Sequence, residues 1–165
     1  MVNIVEIKDV KQLEILQDLA FKIWPDTFKD ILSKEQLSYM LDMFYSIDSL
    51  KNQLNNGHSM FLLFENELPI GFVCIEINYQ NKPTTKIHKL YILPEIQGKS
   101  FGRTLIAFVE IKASEGNNNA LLLNVNKYNN AIGFYIKLGF EIILEEVIDI
   151  GKGYIMDDYQ MLKQI

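Results

Sequence analysis

One stretch of this sequence, residues 90–105, combines features that suit the binding of an anion. It reads LYILPEIQGKSFGRTL, a strand pattern ended by a proline and followed by a glycine-bearing turn that opens into a helix. The first N–H groups of such a helix have no partner within it, and the helix dipole adds partial positive charge there. Gly98 and Gly102 allow a ligand to approach the backbone closely, while Lys99 and the only arginine, Arg103, add full charges. The turn therefore indicates a phosphate or pyrophosphate site.

Two common phosphate-binding loops do not account for this turn. Gly98, Lys99 and Ser100 resemble the end of a nucleoside-triphosphate P-loop, but that motif requires glycine where Leu93 stands. The three glycines of a dinucleotide-binding fingerprint do not occur at the required spacing. A plain strand-to-helix turn stays as an alternative while this stretch is considered alone.

A second stretch, residues 124–140, favours a ligand-binding turn over a plain strand-to-helix turn. It reads NVNKYNNAIGFYIKLGF, in which asparagines precede a helix that ends at Gly139. Together the two stretches resemble the GNAT superfamily of N-acetyltransferases. The first is similar to its acetyl-CoA motif, (Q/R)-x-x-G-x-(G/A), at Gln97, Ser100 and Gly102, where Ser100 departs from the usual glycine. The second is similar to the Asn…Ala-x-x-(Phe/Tyr)-Tyr-x-x-x-Gly-Phe helix of the family. The resemblance covers about residues 60 to 160.

The resemblance implies a binding role for each part of these motifs. Backbone groups of Leu90 to Ile92 would pair with the pantetheine arm between two splayed strands, and the Ile92 N–H would point at the thioester carbonyl. Backbone N–H groups from Gln97 to Arg103 would hold the pyrophosphate, and Asn124 and Asn129 would contact CoA from the other side. The implied acetyl-CoA-binding residues are Leu90, Tyr91, Ile92, Gln97, Gly98, Lys99, Ser100, Phe101, Gly102, Arg103, Asn124 and Asn129.

The family also implies an acid that protonates the leaving thiolate, and Tyr135 holds that place. A phenol with a reference pKa of about 10 can donate at neutral pH, although Tyr135 could equally serve only to pack. A proton acceptor is needed because an ammonium group of pKa about 10.4 cannot attack a thioester. Glu76 and His88 are the candidates for that base, and water is a third. His58 is interpreted as a loop residue and Cys74 as part of the core.

The acceptor pocket of the family is built from the first two helices and the late strands. Here those segments carry aromatic residues and carboxylates that suit a cation, although the same residues would also serve a core and a solvated face. They are Trp24, Asp26, Phe28, Tyr39, Met43, Tyr45, Tyr154, Asp157 and Asp158. A narrower resemblance to bacterial polyamine acetyltransferases lies in residues 26–30, 49–53 and 154–158. The predicted function is acetyl transfer from acetyl-CoA to a primary amine of a small molecule, with a polyamine as the narrower prediction.

Three other functions stay open. A non-catalytic acyl-CoA-binding or regulatory module would keep the turn at 97–103 and lose the acid or the acceptor pocket. The acceptor could also be a different amine, such as a peptide N-terminus or an antibiotic. The sequence does not separate acetyl from other short acyl groups.

The order of elements predicts an α/β fold with a mixed, mostly antiparallel, GNAT-like central sheet flanked by helices and containing a splayed strand pair. Two helices come first, and Pro25 is predicted to stop the first of them. Ser33 and Gln36 resemble a capping box at the start of the second. A β-meander follows, and then alternating strands and helices. Residues 1–165 are predicted to form a single N-acetyltransferase domain.

Composition narrows the class of protein further. A formal net charge of −5 and the lack of a basic stripe argue against a nucleic-acid partner. Two histidines and one cysteine, far apart in sequence, do not have metal-ligand spacing, so no metal is expected. No signal peptide or membrane-length apolar window is present, which predicts a cytoplasmic protein without a membrane partner. A homodimer is a further possibility that the family suggests.

Overall fold

The computed structural model describes the whole chain, residues 1–165. It forms seven strands and five helices, together with single 3₁₀ turns at Tyr79–Asn81 and Pro94–Ile96. The strands are β1 (Val2–Glu6), β2 (His58–Glu65), β3 (Leu68–Glu76), β4 (Thr84–Ile92), β5 (Ala120–Asn126), β6 (Glu141–Gly151) and β7 (Tyr154–Gln164). The helices are α1 (Val10–Phe28), α2 (Lys34–Tyr45), α3 (Ile47–Asn55), α4 (Phe101–Glu115) and α5 (Ala131–Lys137).

The strands form one sheet in the order β1-β2-β3-β4-β5-β7-β6. Only β4 and β5 run parallel, since every other neighbouring pair is antiparallel. Successive side chains of a strand point to opposite faces, so each face of the sheet carries its own core. Phe72 and Cys74 pack with α1 to α3 on one face, and Val73 and Ile75 pack with α4 on the other. This confirms the predicted mixed sheet flanked by helices.

The parallel pair β4–β5 separates halfway along its length. The pairing runs from Thr84–Ala120 to Ile87–Leu123 and stops there. Beyond that point β4 continues along β3 to Ile92, while β5 continues along β7 to Asn126. The two strands therefore leave a gap between them that opens toward the turn after β4, as the splayed pair in the prediction requires.

A β-bulge lies in β4 where this separation begins. Cys74 on β3 is opposite Lys89 and Ile75 is opposite Ile87, so His88 is the extra residue. A bulge turns its side chain away from the regular alternation of the strand. Consequently His88 lies on the same side of the sheet as Glu76, with which it makes a close contact.

The N-terminal region differs from the prediction in two ways. A strand, β1, precedes the first helix and pairs with β2, although its residues are mostly exposed and gave no strong apolar pattern. Helix α1 passes through Pro25 and ends at Phe28, so the predicted stop at Pro25 is wrong. Trp24 and Phe28, on either side of the proline, are buried with ring centroids 4.7 Å apart. Their packing offsets the roughly 3 kcal/mol that an internal proline costs a helix.

Ser33 caps the start of α2 as predicted, but the second hydrogen bond of a capping box is missing. The Ser33 hydroxyl accepts a hydrogen bond from the Gln36 N–H at 3.1 Å. The Gln36 side chain does not return a bond to the cap, and its amide donates to the Ile155 carbonyl on β7 instead. Ser33 thus caps α2, and Gln36 joins this helix to the late strands. None of the helices has the length and apolar character needed to cross a membrane.

Candidate active site

A groove of about 1170 Å³ runs across the sheet at the gap between β4 and β5. It is lined by Gln97, Gly98 and Ser100 to Arg103 of the turn after β4, but not by the predicted Lys99, and by Asp26 to Leu32 around the end of α1. Leu90 to Ile92 of β4 and Leu123 to Asn126 of β5 line it as well. Both stretches that the sequence singled out therefore border a single groove.

The turn after β4 presents a run of free backbone donors. None of the N–H groups from Gly98 to Arg103 donates to another group of the chain. Free N–H groups at the start of a 15-residue helix form a site for a phosphate or pyrophosphate. The Gln97 N–H, which the sequence had included, instead donates to the Pro94 carbonyl, and the Gln97 side chain donates to the Ile92 carbonyl at 3.1 Å. Gln97 therefore fixes the turn to the end of β4.

Ser100, the departure from the motif glycine, has the left-handed backbone conformation that favours glycine, with φ of 68°. A non-glycine residue in this region is held there at a cost of about 1 to 3 kcal/mol, and such residues cluster at ligand sites. The Ser100 carbonyl accepts from both the N–H and the hydroxyl of Thr104. The serine thus keeps the turn geometry that the motif requires.

The backbone of β4 beyond Ile87 has no neighbouring strand on its β5 side. Leu90 to Ile92 lie in this part of β4 and line the groove. Asn129 lies across the gap, where its side-chain oxygen accepts from the Ala131 N–H at 2.8 Å and helps to begin α5. Its side-chain NH₂ makes no hydrogen bond within the chain, so it stays available to a ligand.

Asn124 is engaged within the protein, which limits the role predicted for it. Its side-chain oxygen accepts from the Lys86 ammonium, and its NH₂ lies 3.1 Å from a Glu146 carboxylate oxygen and 3.5 Å from an Asp158 carboxylate oxygen. This amide therefore links one cation and two carboxylates at the mouth of the gap. Asn124 contributes to the groove as part of this network, in which Glu146 is its nearer carboxylate and Asp158 the more distant one.

The Tyr135 side chain lines the groove from α5. Its ring packs between Phe134 and Phe140, with centroids 5.2 Å and 5.5 Å away. The hydroxyl group makes no hydrogen bond within the chain, which leaves its proton free for a ligand. Burial raises the pKa of Tyr135 above the ordinary value, so the hydroxyl keeps its proton at neutral pH.

Asp158, on β7, is only 5% exposed and lines the same groove. Burial, helped by the nearby Glu146 and Asp157 carboxylates, raises the pKa of Asp158 to about 6 against the hydrogen bond from Asn124 and the charge of Lys86. A carboxylate with this pKa is ionised at neutral pH and more basic than an ordinary aspartate. The sequence placed Asp158 in the acceptor pocket but not among the proton acceptors, because burial could not be deduced from the pattern.

The two bases named from the sequence lie together, but not both in the groove. His88 lines the groove, whereas Glu76 does not. Burial and the charges of His58, Lys89 and Lys86 lower the pKa of His88 to about 3, which makes it a weak base. His58, interpreted as a loop residue, begins β2 and stacks on His88 with centroids 4.1 Å apart. That interpretation of His58 was therefore wrong.

Some of the residues predicted to form the acceptor pocket line the groove, and they include aromatic residues and carboxylates. Of the residues named for it, the groove is lined by Trp24, Asp26, Phe28, Tyr45 and Asp158. Tyr39, Met43, Tyr154 and Asp157 do not line it. Lining residues that were not named for the acceptor pocket are Asp30, Phe44, Lys89 and Met156, although Asp30 and Met156 lie in the segments of the narrower resemblance.

Cys74 lies in the core, as interpreted from the sequence. It is fully buried on the α1 side of the sheet. Burial raises the pKa of its thiol to about 12, which makes it unreactive at neutral pH.

Comparison with known proteins agrees with this geometry. A family model described as an acetyltransferase (GNAT) domain matches residues 27–160. The chain is 29% identical to a spermidine N(1)-acetyltransferase of Thermoplasma acidophilum, over 81% of this chain and 84% of that protein. It is 30% identical to the peptidyl-lysine N-acetyltransferase YjaB of Escherichia coli, over 78% and 77%. Among solved structures, the PaiA N-acetyltransferase of Thermoplasma acidophilum in complex with coenzyme A has a TM-score of 0.82 at 24% identity, covering 100% of this chain and 99% of that one.

Proposed function

This chain belongs to the GNAT family of acetyl-CoA-dependent N-acetyltransferases, and from that premise we propose that its acceptor is a primary amine of a polyamine. The observation that carries the proposal is the make-up of the groove. The groove is lined by a turn with free N–H groups and by aromatic residues together with carboxylates, and Tyr135 and Asp158 line it with them. Acetyl-CoA supplies the acetyl group as a thioester, and the chain supplies the binding, orientation and proton transfer.

The residues at the turn fit the phosphates of acetyl-CoA. We assign the pyrophosphate to the free N–H groups from Gly98 to Arg103, assisted by the charges of Lys99 and Arg103. Leu90 to Ile92 expose their backbone to the gap between the strands, where an extended pantetheine arm can pair with it. The Asn129 amide lies on the opposite side of this arm.

We assign the role of proton acceptor to Asp158. The acceptor arrives as an ammonium ion of pKa about 10.4 and must lose a proton before its nitrogen can attack the thioester carbon. Asp158 is ionised above a pKa of about 6, lines the groove, and is held in place by Asn124. Its charge first attracts the ammonium and then receives its proton. Burial of the ammonium lowers its pKa, which reduces the difference between the pKa of the ammonium and that of the Asp158 carboxyl.

Tyr135 is assigned to the leaving sulfur. Negative charge develops on this sulfur as the new C–N bond forms and the C–S bond breaks. The Tyr135 hydroxyl has no partner within the chain, so it can donate a hydrogen bond to the sulfur. Because burial raises the pKa of Tyr135 above that of a thiol, its main contribution is this hydrogen bond, and a full proton transfer is not required.

Three features support a polyamine as the acceptor. The rings of Trp24, Phe28 and Phe44 line the groove and suit a cation, and Asp26 and Asp30 add two carboxylates to the lining besides Asp158. A molecule with several ammonium groups along a chain can satisfy both charged regions at once. One of the relatives is named as a spermidine acetyltransferase, whereas another is named for peptidyl-lysine, so a peptide amine is the alternative to test.

A thiol-release assay with a panel of amines tests the proposal. Spermidine, spermine, putrescine, a lysine peptide, a peptide with a free N-terminus and an aminoglycoside are each offered with acetyl-CoA. The thiol reagent will report CoA alone, since Cys74, the only cysteine, is buried with the pKa of its thiol raised to about 12. Asp26→Asn is the test variant, and Asp18→Asn is its control, because both are exposed aspartates of α1 paired with a lysine and only Asp26 lines the groove.

We expect kcat/KM to be highest for spermidine or spermine, and Asp26→Asn to raise the KM for these amines about threefold to tenfold, as loss of a screened charge contact of about 1 kcal/mol predicts. Asp18→Asn should leave it unchanged. Preference for a peptide amine would overturn the polyamine assignment and leave the acetyltransferase intact. Equal KM values in both variants would remove Asp26 from acceptor recognition.

A further inference from the structure

We infer that His58, Glu76 and His88 form a binding site for a divalent transition-metal ion of the Zn²⁺ type. These residues begin β2, end β3 and form the bulge of β4, so the sheet brings together side chains that are far apart in sequence. One ligand atom from each lies within 4.8 Å of the others. Two imidazoles and a carboxylate are a ligand set that binds Zn²⁺ in proteins and leaves a fourth position for water.

The distances in this cluster do not correspond to hydrogen bonds. His58 Nε2 lies 3.6 Å from one Glu76 carboxylate oxygen, and His88 Nε2 lies 3.6 Å from the other. A side-chain contact at this length is too long for a hydrogen bond. Two ligand atoms on a tetrahedral Zn²⁺, with bonds of about 2.1 Å, are about 3.4 Å apart. The spacing therefore fits donors that share an ion better than donors that bond one another.

The polar atoms of the cluster also lack other partners. His58 Nδ1 and His88 Nε2 are buried and make no hydrogen bond. The Glu76 carboxylate accepts none within the chain. Buried polar atoms without partners are rare in folded proteins and each requires an explanation. A metal ion held by Glu76, His58 Nε2 and His88 Nε2 would satisfy the carboxylate and the buried His88 Nε2, whereas His58 Nδ1 would stay without a partner.

Two neighbouring features set conditions on the site. The imidazole rings are stacked at an interplanar angle of 9°, so one ring must rotate before both can direct a nitrogen at the same ion. The ammonium groups of Lys86 and Lys89 donate to Asn124 and Gln53 respectively, and their positive charges oppose a cation at this position. Binding of an ion therefore requires rotation of at least one imidazole side chain.

A bound ion would join three strands at the bulge of β4, two residues before Leu90. It would stabilise the point at which β4 leaves β5, and so the part of the groove where acetyl-CoA binds. Of the three ligands only His88 lines the groove, and no step of the proposed acceptor chemistry uses it, so this effect does not depend on the assignment of the acceptor.

The test is a Zn²⁺ titration of the untagged, full-length protein after treatment with a chelator. Histidine ring NMR gives the most direct signal, because the chain contains only two histidines. Calorimetry of wild type, Glu76→Gln and His58→Asn adds the affinity, and Glu65→Gln, at the other end of β2, is the matched control. Mg²⁺ is the control ion, since it prefers oxygen ligands.

We expect one Zn²⁺ per chain, shifts in both histidine rings, and an affinity reduced at least about tenfold by Glu76→Gln or His58→Asn but not by Glu65→Gln. Mg²⁺ should move neither ring. An absence of ring shifts on addition of Zn²⁺ would overturn the inference even if the variants fail to fold. Unchanged affinity in folded Glu76→Gln and His58→Asn would overturn it as well, because the ion would then be bound elsewhere.

Discussion

A Cβ atom on Gly102 would stand 2.8 Å from Cζ of Phe134, so the glycine allows the first turn of α4 to touch the ring that precedes Tyr135. Phe134 and Tyr135 pack edge to face in α5. The anion-binding turn and the helix that carries the hydroxyl are thus in direct contact. A change at Gly102 should therefore affect both the binding of acetyl-CoA and the position of Tyr135.

We expect Gly102→Ala to weaken acetyl-CoA binding about tenfold or more and to lower kcat, since either the turn or α5 must move to relieve the clash. Calorimetry and steady-state rates measure the two effects. Gly133→Ala is the control, because a Cβ there meets nothing within 4 Å and alanine favours the helix. Similar acetyl-CoA affinity in both variants would contradict the proposed contact.

Tyr135→Phe removes the hydroxyl and keeps the packing of the ring against Phe140. We expect kcat to fall about 10²-fold or more, the size of effect seen when a donor to a developing charge is removed. The dissociation constant for acetyl-CoA should change little, because no binding group is lost. An unchanged kcat, measured where chemistry is rate-limiting, would take Tyr135 out of the reaction.

Asp158→Asn should stabilise the fold while it impairs the enzyme. The pKa of Asp158 is raised to about 6 from an ordinary value of 3.8, so its charge disfavours the folded state above the higher value. Each pKa unit corresponds to about 1.4 kcal/mol, which gives a gain of about 1 to 3 kcal/mol at neutral pH on substitution. Below the lower pKa the difference should vanish, since the carboxyl is then protonated in both states.

Thermal unfolding of wild type and Asp158→Asn at neutral and acidic pH measures this difference. Asp157→Asn is a suitable comparison, because Asp157 neighbours Asp158 but pairs with Lys127 and lies outside the groove. A lower melting temperature for Asp158→Asn at neutral pH would show that the carboxylate stabilises the fold, which is the opposite of what a raised pKa requires.

The parts of the fold and site that were predicted from the sequence are those determined by residues close together in the chain. The turn at Gly98 to Arg103 and the helix of Tyr135 depend on neighbouring residues, so glycine spacing and apolar periodicity were sufficient to place them. Strand β1 was missed because it is an exposed edge strand without a strong apolar pattern. The helix end predicted at Pro25 was wrong because burial of Trp24 in the core stabilises α1 enough to offset the cost of an internal proline.

The remaining features depend on contacts between distant residues. Asn124 holds Asp158 across two strands, and the bulge at His88 brings it to Glu76. Neither the register of a sheet nor the position of a bulge can be deduced from one sequence. The raised pKa of Asp158 results from burial between elements, so the carboxylate could be named from sequence but not its basicity.

The pH dependence of kcat/KM for the best amine, in wild type and Asp158→Asn, tests most directly the claim that Asp158 receives the proton of the acceptor. Asp158 must be ionised to act, so wild-type activity should fall as the pH decreases through about 6. The variant should have kcat/KM lower by about 10² or more, within the range for loss of a general base, and should lack that acidic limb. An identical pH profile and rate in the variant would contradict the role assigned to Asp158.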